Sequence, residues 1–458
     1  MVTKASSGDA VGAAAPDPAS DRPRKFIPEL EGLRGAVVLL VVLGHTGVAT
    51  SVQGWSYMHS TGNGIWAIML NRVAVAFPIW FVMTGYLLYR AFALYTLTGE
   101  RRPNVKRYFW RRALRILPAY WVLTITALLV LNRDSIHGAW EVIRPLLLLQ
   151  IWEHGAIPMG MMHTWSNAND FLFYLAMPVF AWLLHRYARR AETHEARVKR
   201  LLVPLAVPVF IGFAFFTWLH FPQFRDDPMK LWPTQYFWPM SYMGWLSVGM
   251  MLAVLSAAAE TRPDAVPRVY RLIGRHPGKL WLGALGIFVL ACLSPLADYR
   301  LVDYVPAPAA AADYWLFLAF SVAVFAPLTV PGVRFKVAGL MLDNSLLRFF
   351  GRISYSVYLW HIFVYAKFVG PLFAPEIGGY WEVLAVELAL CVMVGYASYI
   401  VVEKPFHMLR PRLGKAPVEL SVAVSTPAEA APATAGAAGT AGAAGTAGTV
   451  RAPRDAQA

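Results

Sequence analysis

Ten long apolar blocks, separated by charged or proline-containing segments, dominate this sequence of 458 residues. They cover approximately residues 35–49, 65–88, 114–131, 165–184, 201–219, 240–257, 280–296, 314–330, 353–368 and 381–402. A helix that crosses a bilayer needs about 20 mostly apolar residues, whereas strands of a membrane barrel alternate over only about ten. The blocks predict an all-α integral membrane protein with about ten transmembrane helices. A further stretch at residues 143–152 is too short to span and predicts an interfacial or re-entrant segment.

The composition agrees with a chain that lies mostly in lipid. Hydrophobic residues make up 57% of the sequence and charged residues only 15%, whereas soluble domains carry about 25% charged residues. Cys292 and Cys391 each lie inside an apolar block and predict buried free thiols. Because no CxxC-type spacing occurs, the sequence predicts no metal site.

Basic residues are divided unevenly between the two sides of the predicted bundle. The side that holds the N-terminus carries 34 of the 41 lysines and arginines, and the other side carries seven. Cytoplasmic loops are enriched in these residues, so we predict a multi-pass cell-membrane protein with both termini cytoplasmic. The net charge of +14 then reflects topology, and basic residues dispersed over short loops predict no nucleic-acid partner.

The chain divides into three predicted segments. Residues 1–25 are expected to form a disordered cytoplasmic tail, and residues 26–415 the ten-span membrane domain. Residues 416–458 are rich in alanine and glycine and of low complexity, which predicts a second cytoplasmic tail.

The first apolar block contains His45, eleven residues after Arg34. Eleven residues make about three helical turns, or roughly 16 Å of rise, so the two side chains share one face. Ionisable groups inside a bilayer are costly and are functional candidates by default. Arg34 at the cytoplasmic edge suits phosphate binding, and a neutral His45 at mid-membrane suits removal of a proton from a hydroxyl. The spacing leaves a second interpretation open, in which Arg34 only sets the topology and His45 only forms hydrogen bonds between helices.

Two further arginines and a second histidine extend the candidate site. Arg112 and Arg115 lie at i and i+3 near the cytoplasmic end of the third block, where they and Arg34 could hold an anion such as coenzyme A. His361 lies in the ninth block at a depth similar to that of His45. It is a candidate for catalysis, and equally for inter-helix hydrogen bonding.

An aromatic residue and a carboxylate, Trp165 and Asp170, open the fourth block on the opposite face of the membrane. This pair is a candidate contact for a sugar ring. An interfacial tryptophan, however, needs no ligand.

Six segments in order carry a family resemblance: EGLRG, FPIWFVMTGYLL, RRALRILPAYW, WSNANDFLFYLAMP, GRISYSVYLWH and VVEKPF. Each alone is weak, but the ordered set, over about residues 26–406, resembles the acyltransferase 3 family of membrane acyltransferases. The resemblance implies about ten spans and transfer of an acyl group, commonly acetyl from acetyl-CoA, to a hydroxyl. The acceptor would be a carbohydrate, an envelope glycan or a secreted natural product.

The resemblance also implies roles for individual residues. Arg34 and His45 match the family's Arg-x10-His motif, with His45 its essential histidine, and Arg112 and Arg115 match its Arg-x-x-Arg motif. Acyl-CoA is then a co-substrate, and no permanently bound cofactor is expected.

This sequence departs from the family pattern at a few positions. Asn167 replaces the leucine of the usual Trp-Ser-Leu, and Asp170 stands where the family generally has glutamate. Thr84 replaces a serine, and Glu31 stands where aspartate is frequent. The shorter reach of Asp170 bears on the identity of the acceptor more than on catalysis.

Alternatives remain open at this point. Direct transfer is the simplest mechanism because no serine or cysteine nucleophile with an adjacent base is recognisable, but an acyl-enzyme on His45 or a tyrosine is a second route. The oxyanion could be stabilised by His361 or by a nearby tyrosine. Rival functions are a transporter or flippase of a sugar or lipid-linked glycan, and an N-acyltransferase or succinyltransferase on a similar scaffold.

The topology can be tested with a reporter fused after Lys415. We expect the reporter to be cytoplasmic, because the basic residues concentrate on the side of both termini. Its accessibility in intact cells is the measurement, and a reporter exposed outside the cell would overturn the assigned orientation.

Overall fold

The fold is helical throughout the part of the chain that the structure describes. A computed structural model describes residues 27–49, 68–70, 72–100, 102–221, 234–293, 305–333, 335–372 and 379–409, and no residue in these ranges forms a β-strand. Apart from one turn of helix at Gly370–Leu372, the α-helices are α1 (Pro28–Ala49), α2 (Ala76–Thr98), α3 (Val105–Leu131), α4 (Ala139–Leu146), α5 (Trp165–Ala188), α6 (His194–Trp218), α7 (Pro239–Thr261), α8 (Arg268–Arg275), α9 (Pro277–Leu293), α10 (Ala307–Thr329), α11 (Lys336–Leu342), α12 (Ser345–Val364), α13 (Tyr380–Ser398) and α14 (Lys404–Met408). Short π-helical segments follow α12 at Tyr365–Val369 and α13 at Tyr399–Glu403.

Each predicted apolar block coincides with a helix over its described residues, and this confirms a multi-pass, all-helical membrane protein. Within the described ranges, eight helices are long and apolar enough to cross a bilayer. A ninth candidate is the pair α8 and α9, which is bent by 92° at the break between them. The exact number of spans therefore stays a prediction, since α12 does not meet the same apolar criterion.

Several predictions fall wholly or partly outside these ranges. Residues 65–67 of the second block and 294–296 of the seventh lie outside the described residues, as do both predicted tails. The short stretch at residues 143–152 is described, and its helix α4 has only eight residues, which confirms that it is too short to span.

Large apolar side chains cover the outer surface of several helices. Leu129 of α3, Phe210 of α6 and Leu282 of α9 are each more than 60% exposed. In water such a surface would be unfavourable, whereas lipid tails are as apolar as these side chains. The exposed surface is that expected of helices facing lipid.

Glycines allow α1 and α12 to approach until their backbones touch. A Cβ atom added at Gly35 would collide with the carbonyl oxygen of Leu347, and one added at Gly351 would collide with that of Glu31. Small residues at such contacts allow close helix packing in membranes, where dispersion contacts and hydrogen bonds drive association. The contact sets the register between α1 and α12.

We expect Gly351→Ala to destabilise the protein by about 1–3 kcal/mol, because the added methyl group overpacks the contact with Glu31. Thermal unfolding of the purified protein in detergent measures the effect. The matched control is Gly283→Ala in α9, where an added Cβ meets no heavy atom within 4 Å. Equal melting temperatures for the two variants would contradict the prediction.

Candidate functional site

A cavity of about 520 Å³ lies between α1, α2, α5 and α12. Three valines of α1 (Val37, Val38 and Val41) and three residues of α2 (Ala76, Phe77 and Phe81) form its apolar walls. Its polar lining consists of Trp80, Ser166, Asn167, Asp170, Ser354, Tyr355 and Tyr358. Mostly apolar walls with a few polar groups among them are typical of small-molecule sites.

The two histidines singled out from the sequence are in direct contact. His45 Nδ1 lies 3.2 Å from His361 Nε2, and the ring centroids are 4.9 Å apart. His361 is fully buried, whereas His45 is partly buried. The structure therefore brings together residues that are 316 positions apart in the chain.

Neighbouring carbonyl groups determine which histidine nitrogens carry protons. His361 Nδ1 lies 2.6 Å from the carbonyl oxygen of Tyr358 and must donate to it, because a carbonyl oxygen only accepts. In the neutral ring, His361 Nε2 is then an acceptor. His45 Nδ1 faces that acceptor and also the carbonyl oxygen of Val41 at 2.9 Å, so it carries the proton. The arrangement leaves Nε2 of a neutral His45 as a basic lone pair.

A third histidine, His163, joins the pair and was missed from the sequence. Its ring centroid lies 4.6 Å from that of His361, and its Nε2 donates to the carbonyl oxygen of Leu359 at 3.0 Å. His163 precedes Trp165 by two residues, just outside the fourth apolar block, so hydrophobic patterning gave no reason to select it. Among the described residues, no group of three or more His, Cys, Asp or Glu side chains has an arrangement that could hold a metal ion.

Arg34 is buried and bonded to α12. One of its terminal nitrogens donates to Ser354 Oγ at 2.8 Å, and Ser354 in turn donates to the carbonyl oxygen of Gly351 at 2.9 Å. The Nε atom of Arg34 is buried without a hydrogen-bond partner. The guanidinium group, which is bonded to the cavity-lining residue Ser354, therefore keeps one N–H donor without a partner.

Arg112 and Arg115 of α3 lie close to the same region. The guanidinium carbon of Arg112 is 5.3 Å from the ring centroid of Tyr174 on α5, in a cation–π contact. Arg115 interacts electrostatically with Arg34. Glu403 and Glu31 offset part of this repulsion on Arg34. Arginines gathered in one region of the bundle are suited to bind an anion.

Asp170 and Trp165 occupy different surroundings, although both are buried. Asp170 lines the cavity, accepts a hydrogen bond from Trp80 Nε1 at 3.1 Å and interacts electrostatically with Arg115 and Arg112. Trp165 instead packs in an aromatic cluster, with its ring centroid 4.7 Å from that of Tyr242. The aromatic side chain next to the carboxylate on the cavity wall is thus Trp80, which sequence reasoning did not select.

Comparison with known families identifies the scaffold that carries this site. The sequence profile of the acyltransferase 3 family, described as an acyltransferase domain, matches residues 27–403. The chain belongs to the acyltransferase 3 family. No solved structure matches the chain significantly.

Relatives of this acyltransferase 3 chain include proteins named for O-acetyl transfer. The chain is 23% identical over 399 residues to the candidate peptidoglycan O-acetyltransferase YrhL of Bacillus subtilis strain 168, covering 84% of this chain and 55% of YrhL. It is 24% identical over 401 residues to a candidate O-acetyltransferase of Staphylococcus aureus strain COL, covering 84% of this chain and 58% of that protein. It is 23% identical over 406 residues to the O-acetyltransferase OatA of Staphylococcus aureus strain NCTC 8325, covering 84% of this chain and 57% of OatA. The chain thus spans little more than half the length of these relatives.

Proposed function

We propose that this acyltransferase 3 protein is a membrane O-acyltransferase that moves an acyl group, foremost acetyl, from acyl-CoA to a hydroxyl of a carbohydrate, an envelope glycan or a secreted natural product. The observation that carries the proposal is a cavity whose lining residues are bonded to both halves of the site. Its wall includes Ser354, which holds Arg34, and Tyr358, whose carbonyl holds His361 against His45. The named O-acetyltransferases among the relatives support the reaction class.

Arg34, Arg112 and Arg115 form the proposed donor site. Guanidinium groups match phosphate oxygens in geometry and charge, and the free Nε of Arg34 provides a buried donor. With the phosphates of acyl-CoA on these arginines, the pantetheine arm would enter the bundle towards the cavity and carry the thioester to His45. The acceptor hydroxyl would enter from the outer side or from within the bilayer.

His45 Nε2 is the proposed general base. It takes the hydroxyl proton as the oxygen attacks the thioester carbonyl, and the resulting tetrahedral intermediate expels the coenzyme A thiolate. The thiolate then recovers the proton from the His45 imidazolium, so the products are an ester and free coenzyme A.

His361 is better suited to orient His45 than to stabilise an oxyanion. Its Nδ1 proton is committed to the carbonyl of Tyr358, and its Nε2 accepts from His45. An acceptor at this position stabilises the His45 imidazolium as it forms, as the carboxylate does in a serine protease triad. We therefore assign His361 as a positioning residue.

The remaining assignments complete the proposal. Both termini lie in the cytoplasm because most basic residues fall on their side, and residues 26–415 form the membrane domain between two tails. This orientation places the Arg34 end of α1 towards cytoplasmic acyl-CoA.

We expect His45→Ala to lower acyl transfer about 10²- to 10⁴-fold, the contribution typical of a general base. Release of free thiol from acetyl-CoA and formation of acyl ester by purified protein are the measurements. His220→Ala is the matched control, since His220 Nδ1 faces the carbonyl oxygen of Phe216, four residues earlier, at 2.8 Å, as His45 faces that of Val41. Similar rates for wild type and His45→Ala would contradict the assignment. A wild-type protein that moves a sugar without releasing thiol would instead favour a transporter.

We expect Arg112→Ala and Arg115→Ala each to weaken acyl-CoA binding tenfold or more, since hydrogen bonds to charged groups contribute about 1.5–3 kcal/mol. Calorimetric titration of coenzyme A into the purified protein is the measurement. Arg200→Ala is the control, because Arg200 also lies over a tyrosine ring, that of Tyr187, at 5.5 Å. Unchanged affinity in the α3 variants would remove these arginines from the donor site.

A further inference from the structure

The hydroxyl groups on the cavity wall have no free proton to offer a ligand. Tyr358 donates to the carbonyl oxygen of His163 at 2.5 Å, so Ser166, 2.7 Å away, must donate to Tyr358. Tyr355 donates to the carbonyl oxygen of Ile116 at 3.0 Å. Ser354 likewise donates to a backbone carbonyl.

Two of the three side-chain N–H donors on the wall are also engaged, since the Asn167 amide has two N–H groups and one of them is bonded. The indole N–H of Trp80 donates to Asp170 Oδ2, and the side-chain amide of Asn167 donates to Tyr355 Oη at 3.4 Å. The polar wall of the cavity therefore presents mainly acceptors. A ligand that complements such a wall must itself supply hydrogen-bond donors.

Two acceptors on the wall are buried and unpartnered. Asn167 Oδ1 and Asp170 Oδ1 have no hydrogen-bond partner among the described residues, and the two side chains are only 3% and 4% exposed. A buried acceptor without a partner costs free energy comparable to a lost hydrogen bond, so a native structure that retains two of them at one site requires an explanation. Asn167 and Asp170 lie at i and i+3 of α5, and residues so spaced are neighbours on one helix face.

We propose that Asn167 and Asp170 form a binding site for two adjacent hydroxyl groups, a vicinal diol, of a neutral sugar or cyclic polyol. The proposal rests on the proposed function and narrows its acceptor class. Each oxygen accepts one hydroxyl proton, and the ring of Trp80, which is bonded to Asp170 and lines the same cavity, provides a flat apolar surface for the carbon skeleton.

The cavity also borders the catalytic end of the site, through a lining residue that is bonded to His45. Val41, whose carbonyl oxygen orients His45, lines the same space as Asn167 and Asp170. A polyol held by two hydroxyls at α5 can therefore present a third hydroxyl towards His45.

Two cyclic triols with the same number of hydroxyls test the proposal. Cyclohexane-1,2,3-triol retains an adjacent pair when its first or third hydroxyl is acylated, whereas cyclohexane-1,3,5-triol has no adjacent pair. We expect the purified wild-type protein to bind the 1,2,3-triol about three- to tenfold more tightly, the effect of one additional hydrogen bond. Calorimetric titration measures both affinities without depending on turnover.

In Asn167→Leu, which introduces an apolar side chain of similar size, we expect the ratio of the two triol affinities to fall to about one. The control is Asn169→Leu, because Asn169 is equally buried on α5 but lies outside the cavity lining and bonds to the carbonyls of Trp165 and Phe237. The affinity ratio does not depend on the amount of folded protein, so a less stable variant still gives an answer.

Three outcomes would overturn the diol site: equal affinity of wild type for the two triols, a preference that survives in Asn167→Leu, or a loss in Asn167→Leu of coenzyme A affinity instead of triol affinity. The last result would assign the two acceptors to the amide N–H groups of pantetheine. If the proposed function is wrong, no thiol is released from acetyl-CoA with either triol. The ratio of the affinities for the two triols still tests the diol site in that case.

Discussion

The backbone contact between α1 and α12 is the constraint on which the candidate site depends. Gly35 and Gly351 permit the approach, because any side chain at either position would collide with the opposite backbone. The same pair of helices carries His45 against His361 and Arg34 against Ser354. One packing contact therefore sets the geometry of both the histidine pair and the buried arginine.

Backbone carbonyl groups around the site determine which side-chain atoms carry protons and which protons are already in hydrogen bonds. The carbonyls of Tyr358 and Val41 decide which nitrogens of His361 and His45 carry protons. Other carbonyls take the hydroxyl protons of Tyr355 and Tyr358. In an apolar bundle, polar groups bond to one another because water is scarce. Asn167 Oδ1 and Asp170 Oδ1 are acceptors without partners that also line the cavity, and this combination points to a ligand.

Much of the fold could be predicted from the sequence because helix formation in a bilayer depends on the apolar length of a local segment. Each apolar block falls on a helix, although the 92° bend between α8 and α9 leaves the exact number of spans open. The candidate residues Arg34, His45 and His361 could be selected because charged or polar groups stand out in apolar blocks. His163 and Trp80 could not, since one lies outside a block and the other is an ordinary aromatic residue of an apolar helix.

By itself the sequence determined a helical membrane chain and its family, and it predicted three arginines and two of the three histidines of the candidate site. These follow from local composition and from spacing along single helices. Only the tertiary structure decided that His45 keeps Nε2 free, that Trp80 and not Trp165 accompanies Asp170 on the cavity wall, and that Asn167 faces the same cavity. The physical reason is that each of these depends on contacts between helices far apart in the chain, which no local pattern encodes.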